Sequence, residues 1–461
     1  MNTIKQQESD PVDLDFVQSI VRYSIALFLS LFVPVLYLSL IRHFYFSELW
    51  LENLSYLAND VPGYVKIREE HAFGIHYFGD YLLPHFWAEA PNPWLDHEIV
   101  TYPPIAIEIF RFFGTLPYKT GLVAYEALLV VSLIAPIAVA TRKIGTALSI
   151  TATMLFGFLA GPTIISLDRG NIVGLLPILY FIFGLSVLRG YWKTAAVAVV
   201  AATSLKYFPF VLSLILLSER KFRMWSATFA TSLVLVFGIL YFYPGGFLES
   251  VNGLVRGALP FVSDDTSDFS CYNTSYVSGI WRTLTFLGLG GAADWLASNA
   301  LLTAILVTVV ISAIVVFGVC PLWSKVVLTM CLSTIVTPTV YSYSLNWVIA
   351  ALAISFVGAQ ISTVDNENCR ELVFAGRQNE AVTRRVLRIF VISDHGLVKV
   401  TVTALVIMLV PWPFAIESSV ALGCRTSIIG LVAFLGVSVI VLANLLHWIS
   451  KRQEFSKQFH D

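Results

Sequence analysis

The feature that most constrains this chain is a series of apolar runs, each about as long as a membrane-spanning helix. Crossing the hydrocarbon core of a bilayer takes about 20 helical residues. Runs such as 144–159 and 301–319 are apolar without the two-residue alternation that strands of a membrane β-barrel require. Only 13% of the 461 residues are charged, whereas soluble domains carry about 25%. The sequence therefore predicts an all-α, polytopic transmembrane helical bundle.

Twelve membrane segments are predicted, and together they form one integral-membrane domain over residues 1–461. The first is Phe16–Leu40, which is too long for the apolar region of a signal peptide. The block 194–217 counts twice, because Lys206 and Pro209 at its centre predict two half-length helices that enter the membrane and return. The other segments are 119–141, 145–163, 170–188, 223–243, 298–319, 323–338, 341–358, 398–416 and 427–449.

The distribution of lysine and arginine predicts the orientation of these segments. Basic residues concentrate between alternate pairs of segments, which places the N- and C-termini in the cytoplasm. Residues 42–102 then form a first extracytoplasmic loop, and residues 359–397 form a cytoplasmic loop. A loop as long as the first is normally functional. We therefore expect a multi-pass protein of the plasma membrane with its active site on the extracytoplasmic side.

The first loop carries the candidate catalytic carboxylate, Asp80, which follows His76 and Tyr77 in an aromatic-rich stretch. A carboxylate can act as general base for a sugar hydroxyl when its surroundings tune its proton affinity. Nearby aromatic side chains would partly desolvate Asp80. Asp96 and Glu98 of the same loop are alternative bases. The competing interpretation is a solvated acid at the membrane interface.

Three cations near the predicted outer surface are candidate phosphate ligands. Arg169 offers the planar guanidinium that binds two phosphate oxygens at once. Lys206 lies at membrane depth, where a charged residue is functional by default. Arg282 would be a further phosphate ligand. The alternatives are an Asp168–Arg169 pair that anchors a turn, a Lys206 side chain that reaches the surface, and an Arg282 that anchors a helix at the interface.

Polar residues on the same predicted side complete the candidate pocket. Tyr102 precedes two prolines that predict an extended entry into a short interfacial helix. Asn171 can cap the helix that follows it. Asn273 and Ser275 belong to one polar motif, and Tyr343 to another that follows a proline.

The order of these motifs resembles the C-type superfamily of integral-membrane glycosyltransferases. More narrowly, it is similar to the family-87 polyprenyl-phosphate-mannose-dependent α-1,2-mannosyltransferases. The matching positions run from about residue 70 to residue 345. They are the acidic first loop, Tyr102-Pro103-Pro104, Arg169-Gly170-Asn171, Lys206 with Pro209, Asn273 and Ser275 with Gly279 and Arg282, and Thr337-Pro338 with Tyr343.

This resemblance implies a donor, an acceptor and a mechanism. The donor is a polyprenyl-phosphate sugar, with mannose as the sugar, whose phosphate is held by Arg169, Lys206 or Arg282. The acceptor is a glycolipid or a polysaccharide, and Asp80 deprotonates the hydroxyl that attacks the anomeric carbon. Transfer by this single displacement inverts the anomeric centre. His76, Tyr77 and the polar residues named above would line the substrate pocket.

Cofactors and other partners are constrained less by the sequence. The five cysteines form no C-x-x-C pair, which argues against a metal or redox site, and no cofactor is predicted. The residues leave open whether a divalent metal also binds. A net charge of −1 gives no sign of a nucleic-acid partner, so the expected partners are donor, acceptor and lipid bilayer.

The alternative function is a transporter or flippase for lipid-linked glycans, but such proteins usually carry paired interrupted helices and only one break is evident here.

Overall fold

The computed structural model describes residues 14–41, 78, 80–81, 87–97, 100–258, 274–318, 320–336, 342–373, 393–411 and 428–458. Throughout these ranges the regular elements are helices, and no β-strand occurs in them. The prediction of an all-α polytopic membrane protein is confirmed.

The helices follow one another with short connections where both ends are described. The first nine are α1 (Leu14–Ile41), α2 (Pro93–Asp96), α3 (Pro104–Gly114), α4 (Tyr118–Thr141), α5 (Thr146–Ala152), α6 (Gly161–Arg169), α7 (Leu176–Leu188), α8 (Trp192–Leu205) and α9 (Leu214–Ser218). The others are α10 (Phe222–Val236), α11 (Phe247–Ala258), α12 (Tyr276–Phe286), α13 (Gly290–Ser298), α14 (Ala300–Phe317), α15 (Leu322–Cys331), α16 (Trp347–Val373), α17 (Asp394–Leu409) and α18 (Ile428–Gln458).

Helix α16 forms the centre of the bundle. It packs against α1, α4, α7, α15 and α17. Within Ser344–Ile361, 83% of the residues are buried, whereas the corresponding value for the apolar window in Phe222–Phe242 is 22%. A helix that is apolar on every side is buried by its neighbours, and one with an exposed apolar face is suited to lipid contact. The outer helices therefore enclose α16 and present apolar side chains outward.

Six helical stretches in the described part of the chain are long and apolar enough to cross a membrane. They are Leu14–Leu36, Lys119–Thr141, Phe222–Phe242, Ala300–Phe317, Ser344–Ile361 and Gly430–Lys451. Each overlaps a predicted segment. The other predicted segments correspond to shorter or broken helices, so the count of twelve stays a prediction.

The predicted segment 145–163 is not a straight helix. Helix α5 continues as a π-helical turn, Thr153–Phe158, and α6 then starts in a direction 58° away. Pro162 lies in the first turn of α6. Proline is accepted there, but within a continuous helix it would remove one hydrogen bond and clash with the preceding turn. The break redirects the chain so that Arg169 ends α6.

The predicted break within 194–217 falls at Lys206. Helix α8 ends at Leu205, and Lys206 is extended, with φ −155° and ψ 146°. Pro209 is the second residue of a 3₁₀ turn, Phe208–Ser213, that leads into α9. A proline early in a turn fits its fixed φ, so the sequence itself ends one helix and starts the next.

Two predicted loops contain more helix than expected. In the predicted 359–397 loop, α16 is helical as far as Val373, because no proline or glycine follows Gly358 in that stretch. In the predicted outer region after residue 243, α11 lies against α2 of the first loop. Gly253 and Gly257 face this contact, since a Cβ on either would come within 3 Å of the Trp94 or Val100 backbone.

Candidate active site

The turn after α6 is built around Gly170. Its φ of +61° lies in the left-handed region that glycine adopts without strain. A Cβ at this position would also lie 2.8 Å from the Cβ of Tyr81. Glycine is therefore required for two reasons: the turn needs a positive φ, and Tyr81 of the first loop leaves no room for a Cβ. Its neighbours Arg169 and Asn171 are carried toward Asp80.

Asp80 is held by three hydrogen bonds from this turn. Arg169 donates from Nη2 to Oδ1 at 2.7 Å and also from Nε to Oδ2. Asn171 donates from Nδ2 to Oδ2 at 2.8 Å. The side chains of Asp80 and Arg169 are 15% and 18% exposed, so solvent screens this pair only partly. The three hydrogen bonds fix the position and the plane of the carboxylate.

Asn171 uses both ends of its amide. Its Oδ1 accepts a hydrogen bond from the Val173 backbone N–H at 2.9 Å, which caps the 3₁₀ turn Ile172–Leu175. Its Nδ2 is thereby directed at Asp80. The predicted cap is present, and it also orients the amide toward the carboxylate.

Lys206 lies over the ring of Tyr102, with Nζ 4.0 Å from the ring centroid. A cation over an aromatic face is stabilised by the negative face of the ring. Tyr102 is fixed by the extended Pro103 that caps α3, and its ring also packs near Trp87. The negative charge of Asp80 acts on Lys206. The structure thus brings together Asp80, Arg169, Asn171, Lys206 and Tyr102.

This site contains an acidic residue from one part of the chain and cations from two others. A model of glycosyltransferase family 87 matches residues 101–338, a little over half of the chain. The chain belongs to glycosyltransferase family 87. It is therefore a membrane glycosyltransferase. A search of curated proteins finds no match.

The family-87 match includes the candidate residues from Tyr102 to Arg282, but Asp80 precedes it. Asp80 joins the matched region through its contacts with Arg169 and Asn171. The geometry therefore connects this carboxylate to the glycosyltransferase region.

Arg169 was predicted as a phosphate ligand, and its guanidinium lies against Asp80. Its phosphate role stays a prediction, and the observed contact gives it a positioning role as well. The alternative interpretation, an Asp168–Arg169 pair that anchors the turn, stays untested because the side chain of Asp168 lies outside the described residues. Arg169 is bonded to a carboxylate 89 residues earlier in the chain.

Ser275 and Arg282 of the family-87 chain lie at α12. Ser275 caps this helix by accepting a hydrogen bond from the Ser278 N–H at 3.1 Å. Arg282 is buried. Gly279, of the same motif, allows α12 to pack on α18, because a Cβ there would lie 2.1 Å from the Cβ of Phe434. This glycine has a packing reason, and substrate contacts by Ser275 and Arg282 stay predictions.

Several predicted residues lie outside the described part of the chain. They are His76, Tyr77, Asn273, the alternative base Glu98, and the side chain of Tyr343. Asp96, the other alternative base, is described in α2 and accepts a hydrogen bond from the Asn92 N–H at 3.3 Å.

Glu126 of α4 was not singled out from the sequence. Its Oε1 would lie 3.2 Å from a Cβ on Gly170, so it borders the same turn. Its charge also acts on Tyr81, where burial and then Glu126 raise the phenol pKa to about 12. Tyr81 therefore stays protonated at neutral pH. The available signal was a carboxylate within an otherwise apolar span, which is costly unless it has a role.

Proposed function

We propose that this glycosyltransferase moves mannose from a polyprenyl-phosphate donor to a glycolipid or polysaccharide acceptor. The reaction takes place on the extracytoplasmic side of the plasma membrane. The observation that carries the proposal is Asp80, which is held between Arg169 and Asn171 beside Lys206. Family membership supplies the reaction class. The resemblance of the motifs supports the donor and the sugar.

Asp80 acts as the general base in this proposal. Its carboxylate takes the proton of an acceptor hydroxyl, and that oxygen forms a bond to the anomeric carbon. The bond from the anomeric carbon to the phosphate oxygen breaks, and polyprenyl phosphate leaves with the electron pair. Attack from the face opposite the leaving group inverts the anomeric centre. A positioned base typically contributes a rate factor of about 10²–10⁴.

Lys206 stabilises the departing phosphate. Charge grows on the phosphate oxygen as the glycosidic bond breaks, and a fixed cation lowers the energy of that transition state. The stack on Tyr102 holds the ammonium group over the face of the ring. Arg169 and Arg282 are the further phosphate ligands of this proposal.

The test is Asp80→Asn in membranes supplied with polyprenyl-phosphate mannose and acceptor. We expect kcat to fall at least about a hundredfold, because the amide cannot accept the proton. Expression and thermal stability are measured beside activity, since the substitution also weakens the contact with Arg169. Asp294→Asn, at an exposed position on α13, is the matched control and should retain activity.

Normal turnover by Asp80→Asn would refute Asp80 as the base. Asp96→Asn is then assayed in the same way, because Asp96 is the alternative within the described loop. A second arm replaces mannose by arabinose in the donor. Faster transfer of arabinose would contradict the proposed sugar while leaving the mechanism intact.

A further inference from the structure

The turn at Gly170 is packed against a segment from late in the chain. This segment is the 3₁₀ turn Ser342–Asn346, which lies immediately before the central helix α16. It contacts both α6 and the 3₁₀ turn Ile172–Leu175, the two elements that flank Gly170. The turn beside the proposed base is therefore supported by residues that follow the family-87 match, which ends at residue 338.

Asn346, the last residue of this segment, bonds directly to α6. Its side chain is fully buried, and its Nδ2 donates a hydrogen bond to Ser166 Oγ at 2.5 Å. Ser166 is also fully buried and lies in the last turn of α6, three residues before Arg169. A hydrogen bond enclosed in this way is stronger than one exposed to water. Asn346 therefore fixes the last turn of α6 to the segment that leads into the centre of the bundle.

Ser166 is also a backbone acceptor for the turn. Its carbonyl accepts a hydrogen bond from the Asn171 N–H at 3.1 Å. This is the hydrogen bond expected where a helix ends at a left-handed glycine, here Gly170. The Asn171 side chain donates in turn to Asp80. Three hydrogen bonds thus connect Asn346 with the proposed base through Ser166 and Asn171.

Only one end of the Asn346 amide is paired. Among the described residues, none donates a hydrogen bond to its buried Oδ1. The buried Asn444 of α18 differs, because its Oδ1 accepts from Ser324 Oγ and its Nδ2 donates to the Ile440 carbonyl. A buried acceptor without a donor lowers stability. Asn346 is therefore a poor choice for stability alone, and its contact with Ser166 indicates another requirement.

We propose that Asn346 is a positioning residue for sugar transfer. Through Ser166 it fixes the turn that holds Asp80 in place. The inference rests on the proposed function, because it concerns the alignment of the proposed base. A displacement of about 1 Å at a reacting group can lower a rate about a hundredfold. Loss of the Asn346 contact therefore affects the rate of the chemical step more than the binding of either substrate.

The first test measures steady-state sugar transfer by the full-length Asn346→Ala protein. We expect kcat to fall about tenfold or more, with smaller changes in the KM of donor and acceptor. Asn444→Ala is the matched control, since it removes a buried asparagine that bonds to a serine of α15 and not of α6. It should lower the melting temperature and leave kcat unchanged. A normal kcat in Asn346→Ala, or an equal fall in Asn444→Ala, would overturn the proposal.

Ser166→Ala covers the case in which Asn346→Ala does not fold. It removes the hydroxyl that Asn346 contacts and keeps the backbone carbonyl that Asn171 contacts, so kcat should again fall with smaller changes in KM. Ser355→Ala is its control, because Ser355 is equally buried and bonds within α16, to the Ala351 carbonyl at 2.8 Å. A kcat for Ser166→Ala equal to that of Ser355→Ala would overturn the proposal.

A second measurement reports on the turn itself and needs no turnover. Hydrogen–deuterium exchange of peptides that contain Gly170 and Asn171 follows the backbone hydrogen bonds at the end of α6. Exchange there should be about fivefold to tenfold faster in Asn346→Ala, because one buried hydrogen bond that supports the turn is lost. It should be unchanged in Asn444→Ala. Wild-type exchange in a folded Asn346→Ala protein would overturn the proposal.

The exchange measurement also separates this proposal from that of the base. If Asp80→Asn transfers sugar normally while Asn346→Ala lowers kcat and speeds exchange, the assignment of the base fails and Asn346 still positions the turn. If Asp80→Asn is inactive while Asn346→Ala has normal kcat and normal exchange, the base stands and the positioning role of Asn346 is refuted.

Discussion

Arg169 contacts both oxygens of Asp80, and Asn171 adds a hydrogen bond from the other side of Gly170. A general base must be ionised and correctly aligned when the acceptor hydroxyl arrives. The two donors meet the second need, because they hold the plane of the carboxylate. Arg169 is therefore a positioning residue for Asp80 in the proposed reaction.

Arg169→Lys tests this positioning role. Lysine keeps the positive charge but lacks the fork that binds both oxygens of Asp80. We expect kcat to fall about tenfold or more with a smaller change in donor KM, as measured in a steady-state transfer assay. Arg256→Lys, at an exposed position on α11, should leave both constants unchanged.

Arg169→Ala separates the positioning role from phosphate binding. If Arg169 also binds the donor phosphate, this variant should raise donor KM more than acceptor KM. Equal changes in the two KM values would contradict the phosphate role. An unchanged kcat in Arg169→Lys would contradict the positioning role.

At the scale of elements, the turn that ends α6 depends on Gly170 in two ways. Its positive φ strains any residue with a Cβ, and that Cβ would also meet Tyr81. Gly190, after α7, has a φ of +73° but open space around its missing Cβ. Both positions therefore require a residue that tolerates a positive φ, but only at Gly170 would a Cβ also clash with a neighbouring segment.

Gly170→Ala should lower the melting temperature more than Gly190→Ala, as measured by thermal unfolding in detergent. Both substitutions introduce backbone strain of about 1 kcal/mol or more, and only the first displaces the segment that carries Asp80. We therefore expect Gly170→Ala also to lose transfer activity, with Gly190→Ala active. Equal losses of stability and activity in the two variants would contradict the close-approach argument.

Many helix ends, helix starts and caps could be predicted from the sequence, because each is determined by residues that are close together in the chain. The break at Lys206, the proline-led start of α3 and the cap by Asn171 each depend on residues within a few positions. The bend before α6 was missed, since Pro162 signals a helix start but not its direction. Helix α11 was missed because it lies against α2, which only the folded chain brings near.

At the scale of the whole molecule, the described residues contain six apolar helices of spanning length, and two of them, α1 and α4, pack on the buried α16. The predicted orientation places the α13 end outside and the connection after α4 inside. This orientation decides on which side of the membrane sugar transfer occurs.

Cysteine labelling tests the orientation. In a background without the five native cysteines, Asp294→Cys and Lys143→Cys are introduced at exposed positions. In intact cells, a membrane-impermeant maleimide should label the Asp294→Cys protein and not the Lys143→Cys protein. Permeabilised cells control for reactivity, and the opposite pattern would reverse the proposed topology.

The long-range arrangement of the site was beyond sequence reasoning. Asp80, Arg169 and Lys206 could each be named from their residue type and position relative to apolar runs. Their convergence depends on the packing of the first loop onto the turn at Gly170. The position of Glu126 beside this turn likewise becomes evident only once α4, α6 and the first loop are assembled.

The Asp80–Arg169 contact also crosses the start of the family-87 match at residue 101. A truncated protein that begins at Thr101 would keep the guanidinium and remove its acidic counterpart. The loss of one member of a poorly solvated ion pair costs more than the pair itself contributes. Boundaries drawn from the family-87 match would therefore yield a fragment that is both less stable and without the proposed proton acceptor.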